Sequence, residues 1–290
     1  MLIGSLFSGI GGIDLAFEQA GFTVAWQVEI DRAANKILAK HWPHVPRYGD
    51  IQDVAPEDLT PVDVIAFGSP CTDLSVAGKR AGLKGAQSGL FYEAIRIIQG
   101  IRPSLALWEN VPGAFSSNAG RDFGAVLTAF RDSGIRECAW RVLDAQYFGV
   151  AQRRRRVFLV ADFSGERATQ ILFEPESVSG DSSPCPPAAS ISSSLVSSGA
   201  GKKCPDVSRT LLAKGNRSLD HTLESYIIQK NSIRCFMPIE TERLQGLPDD
   251  WTRWDADGSE LSDSARYRLI GNSVAVPVVR WIAERMIPLF

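Results

Sequence analysis

Short apolar runs alternate with longer amphipathic stretches through the first half of this 290-residue chain. The apolar runs are rich in β-branched and aromatic residues and stop at turn-forming residues, which is typical of buried strands. Six strands are predicted, at residues 2–7, 22–28, 62–67, 104–108, 139–144 and 157–161. Helical periodicity predicts helices at 13–20, 32–41, 90–101, 123–133, 238–245 and 276–289. Strand–helix alternation of this kind predicts an α/β fold with a doubly wound, largely parallel sheet.

The pattern changes between about residues 175 and 232, where Ser, Pro and Gly are enriched and periodicity is weak. Such a composition is typical of a linker with disordered pieces or of a small irregular domain rich in loops. Apolar islands at 210–212 and 226–228 favour some packed structure. We therefore expect a large domain over residues 1–175, completed by 264–290, and a smaller domain with a hinge over 176–263.

Composition places the chain among soluble globular proteins, with 44% hydrophobic residues, no apolar run of membrane-spanning length and no secretory signal. We expect a cytoplasmic protein that acts as a monomer. The five Cys are scattered without a C-x-x-C pair and the three His show no ligand spacing, so neither a disulfide framework nor a metal site is expected. The net charge of -2 does not indicate a nucleic-acid partner, although a local basic face is sufficient for one.

Chemistry-bearing residues follow four of the predicted strands. A Gly-rich turn at 7–12 follows the first strand, Glu29 the second, Cys71 the third and Glu109 the fourth. Because parallel strands end at a common edge, where open α/β sheets bind ligands, we expect these groups to meet. The glycines allow a ligand close to the backbone, the helix after them suits a ligand carboxylate, and Glu29 stands where nucleotide-binding sheets place an acid for ribose hydroxyls.

Each feature also has a simpler interpretation. The Gly-rich segment lacks the full G-x-G-x-x-G spacing and could be only a tight turn, Glu109 could be a surface acid, and a lone Cys is most often a small buried apolar residue. The basic run at 153–156 could be a solvated face. The coincidence of all four strand-end features at one edge favours a shared site.

Six segments, in order along the chain, resemble the ordered motifs of DNA (cytosine-5)-methyltransferases. They lie at 7–12, 68–75, 109–111, 152–156, 240–248 and 271–274. The resemblance spans nearly the whole chain and breaks between about 164 and 232, where the family carries its variable target-recognition domain. It implies a Rossmann-like AdoMet-dependent methyltransferase sheet with a smaller loop-rich target-recognition domain. It also implies S-adenosylmethionine as cofactor, S-adenosylhomocysteine as its product, and double-stranded DNA as partner.

The resemblance implies methyl transfer to C5 of a flipped cytosine, with Cys71 as the nucleophile. C5 is a poor nucleophile, so attack of a thiolate on C6 first gives a covalent adduct in which C5 can take a methyl group. Glu109 would contact the N3 and amino edge of the base and draw electron density from the ring. Strand alternation puts Arg154 and Arg156 on one face; the resemblance assigns Arg154 to the pyrimidine carbonyl and Arg156 to orienting the catalytic centre. Water is a candidate base for the final proton loss.

The resemblance also implies which residues hold the cofactor. The first loop would hold the methionine end and lie near the adenine, Glu29 would bind the ribose hydroxyls with Ile30 beside the ring, and Asp50 with Ile51 would lie at the adenine edge. The last motif requires the C-terminal helix to return to the first domain. The full set is Phe7, Ser8, Gly9, Ile10, Gly11, Gly12, Glu29, Ile30, Asp50, Ile51, Pro70, Leu90, Asn272, Ser273 and Val274.

A base stacked in a duplex has to be flipped out before chemistry at C5. Glycines at 78, 82, 85 and 89 punctuate the segment after Cys71, so we expect a mobile loop that brings Lys79, Arg80 and Lys84 onto phosphates. An ordinary exposed loop is the alternative interpretation.

Three positions depart from the family pattern: Ser69 stands where many bacterial members have Phe, Thr72 where they often have Gln, and Leu247 where Phe is usual. None removes a reacting group, but the packing of the loops is put in doubt. Three other functions remain open: methylation of RNA cytosine, DNA binding without catalysis, and a nicotinamide oxidoreductase. The target sequence is not readable from the recognition region.

Overall fold

The structure is a computed structural model that describes residues 1–70, 89–174, 208, 211, 227–229 and 232–290. Within these ranges a sheet of seven strands forms the centre, in the order β3-β2-β1-β4-β5-β7-β6. Its strands are β1 (Leu2–Leu6), β2 (Thr23–Val28), β3 (Arg47–Tyr48), β4 (Val64–Gly68), β5 (Leu105–Asn110), β6 (Glu137–Asp144) and β7 (Arg155–Asp162). A separate antiparallel pair is formed by β8 (Ile227–Gln229) and β9 (Ser232–Arg234).

Eight α-helices accompany these strands in the described ranges. They are α1 (Gly12–Gln19), α2 (Arg32–His41), α3 (Gly89–Ile101), α4 (Arg121–Asp132), α5 (Ala168–Leu172), α6 (Pro238–Gln245), α7 (Asp263–Asn272) and α8 (Val276–Met286). Short 3-10 turns, such as Ile51–Asp53, complete the connections. None of these helices is long and apolar enough to cross a membrane.

The α/β prediction is confirmed, and most predicted elements agree with the structure to within two or three residues at each end. The helices at 32–41 and 238–245 have the predicted bounds, whereas the last predicted helix ends early, at Met286, and continues as a 3-10 turn. Among the elements that the apolar pattern missed are β3, which has only two residues, and the helices α5 and α7. Buried Arg266 interrupts the apolar face of α7, which explains why periodicity did not reveal this helix.

The sheet is parallel from β3 to β5, and its last two strands alternate in direction. β1 pairs in parallel with β2 and β4, and β4 pairs in parallel with β5. In contrast, β7 runs antiparallel to β5, with Asn110 opposite Val157, and β6 runs antiparallel to β7. The beginning of β7 therefore lies at the same edge as the carboxyl ends of the parallel strands.

Two apolar clusters cover the two faces of the sheet. One contains Phe17 of α1 and Ile282 of α8, and the other contains Phe91 of α3 and Phe130 of α4. The C-terminal helix α8 thus packs against α1 on one face of the sheet. Apolar side chains from Phe236 onward also belong to the first cluster. The predicted end of the smaller domain at residue 263 stays a prediction.

A fully buried carboxyl, Asp14, lies in α1 next to the strands β1 and β2. Its Oδ1 accepts hydrogen bonds from the Ser5 hydroxyl at 2.8 Å and from Gln27 Nε2 at 3.1 Å. The Ser5 hydroxyl also lies 2.6 Å from that of Ser8 in the first loop. Burial raises the pKa of Asp14 to about 6, and the hydrogen bonds from Gln27 and Ser5 oppose this shift only in part.

We predict that Asp14 makes the stability of the fold decrease as the pH rises from 4 to 7. Its folded-state pKa of about 6 lies above the ordinary value of 3.8, so the folded chain holds the proton more tightly than the unfolded chain. A shift of this size corresponds to about 3 kcal/mol. The Asp14→Asn variant has no such proton to lose. Its free energy of unfolding relative to the wild type should therefore rise by up to about 3 kcal/mol over this range.

Urea unfolding at several pH values measures this difference. The Asp132→Asn variant, which removes an exposed carboxyl from the end of α4, is the control for loss of a surface charge. If the difference in stability between Asp14→Asn and the wild type does not change with pH, the prediction is wrong.

Candidate active site

The first loop, residues 7–12, joins β1 to α1 with an unusual backbone. Phe7, Gly9 and Gly11 have φ values of 54°, 57° and 80°. For Phe7 this left-handed conformation costs about 1 kcal/mol, a strain that typically accumulates at functional sites. A side-chain carbon built on Gly9 would meet nothing within 4 Å. This side of the loop is therefore open to a ligand.

The opposite side of the loop is closely packed. A carbon built on Gly11 would overlap the ring of Trp42, and one built on Gly12 would lie 2.5 Å from the Ser273 hydroxyl and 3.2 Å from a Val274 methyl group. Ser273 and Val274 are buried, whereas Asn272 is exposed. The structure thus brings the last predicted motif against the first.

Glu29 shapes this loop directly. Its Oε2 accepts a hydrogen bond from the Gly9 N–H at 2.7 Å, and its Oε1 accepts one from the Asp31 N–H at 2.7 Å. Burial raises the pKa of Glu29, while the bonds from these two N–H groups lower it. The adjacent Ile30 side chain is 66% exposed, an unusual position for a large apolar group. It offers an apolar surface beside the carboxylate for the ring of a ligand.

The adenine-edge candidates differ in what they offer. Asp50 caps the short turn Ile51–Asp53 by accepting the Gln52 N–H at 3.0 Å. The Ile51 side chain is only 3% exposed and belongs to the core, and its carbonyl accepts a hydrogen bond from Arg96 at 2.9 Å. The Asp50 carboxylate is therefore the more accessible group of this pair.

The structure describes the chain up to Pro70 and again from Gly89, so Cys71, Lys79, Arg80 and Lys84 lie outside the described residues. Before this gap, the Ser69 hydroxyl accepts hydrogen bonds from Trp108 Nε1 at 3.0 Å and from Asn110 Nδ2 at 3.4 Å. These bonds attach the exit of β4 to β5, two residues before Cys71. Leu90, after the gap, packs half-buried on the same core cluster as Phe7.

Glu109 and Arg156 form an ion pair at the edge of the sheet. Arg156 Nε lies 3.0 Å from Glu109 Oε1, and the two side chains are 16% and 13% exposed. A carbon built on Gly68 would lie 3.0 Å from Glu109 Oε2. The structure therefore brings this pair beside the end of the strand that leads to Cys71.

Arg154 has different surroundings. Its guanidinium group is almost fully buried and donates hydrogen bonds to the backbone carbonyls of Leu211, Gly271 and Ser273. Arg156, and not Arg154, is the arginine paired with Glu109. The assignment of Arg154 to the pyrimidine carbonyl stays a prediction, which the geometry does not favour.

The first loop is supported by Trp251, which stacks on His41, and the sequence pattern indicated neither residue. Trp251 donates its indole N–H to the Ile10 carbonyl at 2.9 Å, and its ring stacks on His41 at a centroid distance of 3.4 Å. Burial lowers the pKa of His41, although its hydrogen bond to the Trp251 carbonyl opposes this shift. The position of Trp251 just after the 240–248 motif was the available signal. Among the described side chains, no group of three or more His, Cys, Asp or Glu could hold a metal ion.

The fold of this chain is also found in solved structures of known proteins. The fold matches that of Schizosaccharomyces pombe Dnmt2 methyltransferase with a TM-score of 0.72, over 100% of this chain and 99% of that chain. At 20% identity this likeness concerns the fold alone. The chain therefore shares the α/β fold of that methyltransferase.

Sequence comparison then defines the family. The model of the family described as C-5 cytosine-specific DNA methylase matches residues 1–184 and 187–288. A type II methyltransferase of Bacillus subtilis, M2.BsuMI, is 33% identical over 99% of this chain and 75% of its own length. A phage P1 protein named as a DNA N-6-adenine-methyltransferase is 27% identical over 98% of this chain and 60% of its own length. The chain belongs to the C-5 cytosine-specific DNA methylase family, which confirms the predicted family and type of enzyme.

We predict that alanine has very different effects at two glycines of the first loop. Both Gly9→Ala and Gly11→Ala place a side chain at a left-handed position, which costs about 1 kcal/mol. Gly11→Ala also forces a methyl group into the Trp42 ring, and overpacking of this kind costs about 1–3 kcal/mol more. Urea unfolding should show a loss of about 3 kcal/mol for Gly11→Ala and of about 1 kcal/mol for Gly9→Ala. Equal losses would contradict the close packing behind Gly11.

Proposed function

We propose that the chain transfers a methyl group from S-adenosylmethionine to C5 of a flipped cytosine in double-stranded DNA, through a covalent adduct between Cys71 and C6. The observation that carries this proposal is the Glu109–Arg156 ion pair beside the end of the strand that leads to Cys71, in a chain of the C-5 cytosine methylase family. The predicted cytoplasmic location and monomeric state stay predictions.

In this mechanism Cys71 attacks C6 as a thiolate and forms a carbon–sulfur bond. Glu109 donates a proton or hydrogen bond to N3, so the electrons displaced by the attack are not left as charge on the ring. C5 thereby becomes nucleophilic and takes the methyl group. Loss of the C5 proton to water, cleavage of the carbon–sulfur bond and return of the N3 proton to Glu109 then restore the aromatic ring, the thiolate and the carboxyl group.

Arg156 orients the carboxyl group of Glu109 in this scheme. Its Nε lies 3.0 Å from Oε1, which leaves Oε2 on the side of Gly68 and the β4 exit. A carboxyl group held in one rotamer meets the base edge without the entropy cost of being positioned during the reaction.

The first loop and its neighbours fit the cofactor. When bound, S-adenosylmethionine supplies an electrophilic methyl group. The open side of the loop at Gly9 has room for its methionine end. Glu29 would accept hydrogen bonds from the ribose hydroxyls, and the exposed Ile30 would pack against the adenine ring. Asp50 is available to the edge of that ring, and the segment from Asn272 to Val274 closes the loop from behind.

Duplex DNA is the proposed partner, and the base has to leave the stack to reach the site. The loop with Lys79, Arg80 and Lys84 is proposed to contact phosphates, and residues 176–263 to recognise the target sequence. The likeness to a type II methyltransferase supports a role in restriction-modification.

We predict a denaturation-resistant complex between the wild-type protein and DNA that contains 5-fluorocytosine. A base can remove a proton from C5 but not a fluorine, so the adduct with Cys71 is trapped. The protein–DNA complex then migrates as a larger species on a denaturing gel. The complex should be absent in Cys71→Ser and retained in Cys138→Ser, because burial raises the pKa of the Cys138 thiol to about 12. Persistence of the complex in Cys71→Ser would show that another residue is the nucleophile.

Mass spectrometry of the nucleosides from methylated substrates tests the product in the same assay. We expect 5-methyldeoxycytidine in DNA. N6-methyldeoxyadenosine, or methylation of tRNA in preference to DNA, would contradict the proposed reaction. Bisulfite sequencing of DNA from cells that express the protein then locates the target.

We predict that Glu109→Gln slows methyl transfer at saturating substrate by about 10²–10⁴-fold, since an amide has no acidic proton for N3. The affinity for S-adenosylhomocysteine should be unchanged, because Glu109 lies outside the first loop. The matched control is Glu284→Gln, which alters an exposed glutamate of α8. A rate for Glu109→Gln close to that of the control would remove Glu109 from the mechanism.

A further inference from the structure

Arg154 lies just before β7, and its buried guanidinium group contacts two separate parts of the chain. It donates to the carbonyls of Gly271 and Ser273, at 3.2 and 2.6 Å, and to the carbonyl of Leu211 at 3.3 Å. Only 3% of the residue is exposed. A charged group this deeply buried is costly unless polar partners surround it, so these bonds are central to its placement.

The first of these parts is the end of α7. The last carbonyls of a helix have no partner within it and carry a partial negative charge, which favours a cation at that end. Gly271 lies in the last turn of α7 and Ser273 is its C-cap. Gln245 Nε2 donates to the Ile270 carbonyl at 3.0 Å and to the Ser273 carbonyl at 3.4 Å. Arg154 and Gln245 together therefore cap this helix.

This capped end lies directly against the first loop, residues 7–12, which is the proposed cofactor loop. Ser273 is the residue whose hydroxyl leaves no room for a side chain on Gly12. A shift of the Ser273 backbone would therefore be transmitted to the loop, since closely packed contacts move together.

The second part belongs to the segment proposed to recognise DNA. Residues 208 and 211 lie along the stretch 151–154: the Ser208 N–H donates to the Ala151 carbonyl at 2.8 Å, and the Arg153 N–H donates to the Ser208 carbonyl at 2.7 Å. The Leu211 N–H donates to Gln152 Oε1 at 3.1 Å, while its carbonyl accepts from Arg154.

We propose that Arg154 is a positioning residue that links the DNA-recognition segment to the cofactor loop, so that the binding of DNA and of the cofactor are coupled through it. This inference rests on the proposed function. It replaces contact with the pyrimidine carbonyl as the role of Arg154. By linkage, the factor by which DNA tightens cofactor binding equals the factor by which the cofactor tightens DNA binding.

The test compares Arg154→Lys with the wild type. Lysine keeps the positive charge but lacks the planar fork that reaches several carbonyls at once. Isothermal titration with S-adenosylhomocysteine, which allows no turnover, is carried out with and without sheared duplex DNA from cells that lack cytosine methylation. The control is Arg155→Lys, which makes the same change at the exposed neighbouring position.

Without DNA, we expect the Kd of Arg154→Lys for S-adenosylhomocysteine to rise about tenfold, equivalent to about 1.4 kcal/mol, and that of Arg155→Lys to stay at the wild-type value. In the wild type, DNA should lower this Kd by at least about fivefold, a usual size for coupling between sites. In Arg154→Lys the ratio of the Kd without DNA to the Kd with DNA should fall towards one.

A second variant, Gln245→Met, separates the two halves of the link. It removes the other donor to the end of α7, whereas Arg154 keeps its bond to the Leu211 carbonyl. Gln152 loses Gln245 Oε1 as an acceptor but keeps its bonds to the Leu244 carbonyl and the Leu211 N–H. We expect a smaller rise in Kd without DNA, and a ratio with and without DNA that stays at the wild-type value. This variant also tests the inference if Arg154→Lys does not fold.

Three results would overturn the inference. One is an unchanged Kd in Arg154→Lys together with a slower methyl transfer, as expected for direct contact with the base. Another is a lower midpoint of thermal unfolding without any change in Kd, as expected for a purely structural role. The third is a wild-type Kd that does not respond to DNA. If the wild type binds no S-adenosylhomocysteine at all, the proposed function itself fails.

Discussion

The antiparallel pairing of β7 with β5 is the constraint on which the rest of the site depends. Strands β1, β2, β4 and β5 deliver their loops to one edge because they are parallel. A seventh strand in the same direction would have begun at the opposite edge, with the basic run of residues 153–156 far from the other groups. Since β7 is reversed, the strand begins beside the end of β5. Both the Glu109–Arg156 pair and the Arg154 contacts follow from this reversal.

The first loop, residues 7–12, is packed against parts of the chain from both ends of the sequence. Gly11 and Gly12 exclude side chains because Trp42 and Ser273 occupy the space behind them. Trp251, more than two hundred residues away in the sequence, donates a hydrogen bond to the Ile10 carbonyl. Ion pairs join the same regions at the surface, such as Arg268 with Asp31 at 2.6 Å. Exposed pairs of this kind contribute at most about 1 kcal/mol each. The close packing around the glycines is therefore the stronger determinant of the loop's shape.

Local pattern predicted the strands and their terminal residues well, because buried strands read as continuous apolar runs; Val64 to Phe67 are fully buried in the structure. Strand direction could not be predicted in this way, since an apolar run is the same in either direction. The shared site of Arg154 and Arg156 stays a prediction. Arg153 and Arg155 are exposed, whereas Arg154 is buried and Arg156 is partly buried, as alternation along an extended chain predicts. Alternation does not reveal which partners each arginine has, and Arg154 lies just before β7, which begins at Arg155.

Contacts between distant parts of the sequence could not be predicted from local pattern either. Neither the stacking of His41 on Trp251 nor the inward direction of the Ile51 side chain has a signature in local spacing. Ser69 departs from the family pattern, and from this departure the sequence predicted only altered packing. In the structure its hydroxyl accepts hydrogen bonds that join Trp108 and Asn110 to the exit of β4. A small polar residue here exchanges the apolar packing of Phe for directed hydrogen bonds.

The partial exposure of Glu109 and Arg156 bears on how a base would change their interaction. Both side chains still reach solvent, and at such positions water weakens the attraction between opposite charges. A cytosine that fills the space beside Gly68 would displace this water and lower the local dielectric constant. When Glu109 gives its proton to N3 as the thiol attacks C6, the attraction between Arg156 and the carboxylate that remains would then be stronger than in water. The same pair can therefore remain hydrated before DNA binds and become a rigid electrostatic support once the base is in place.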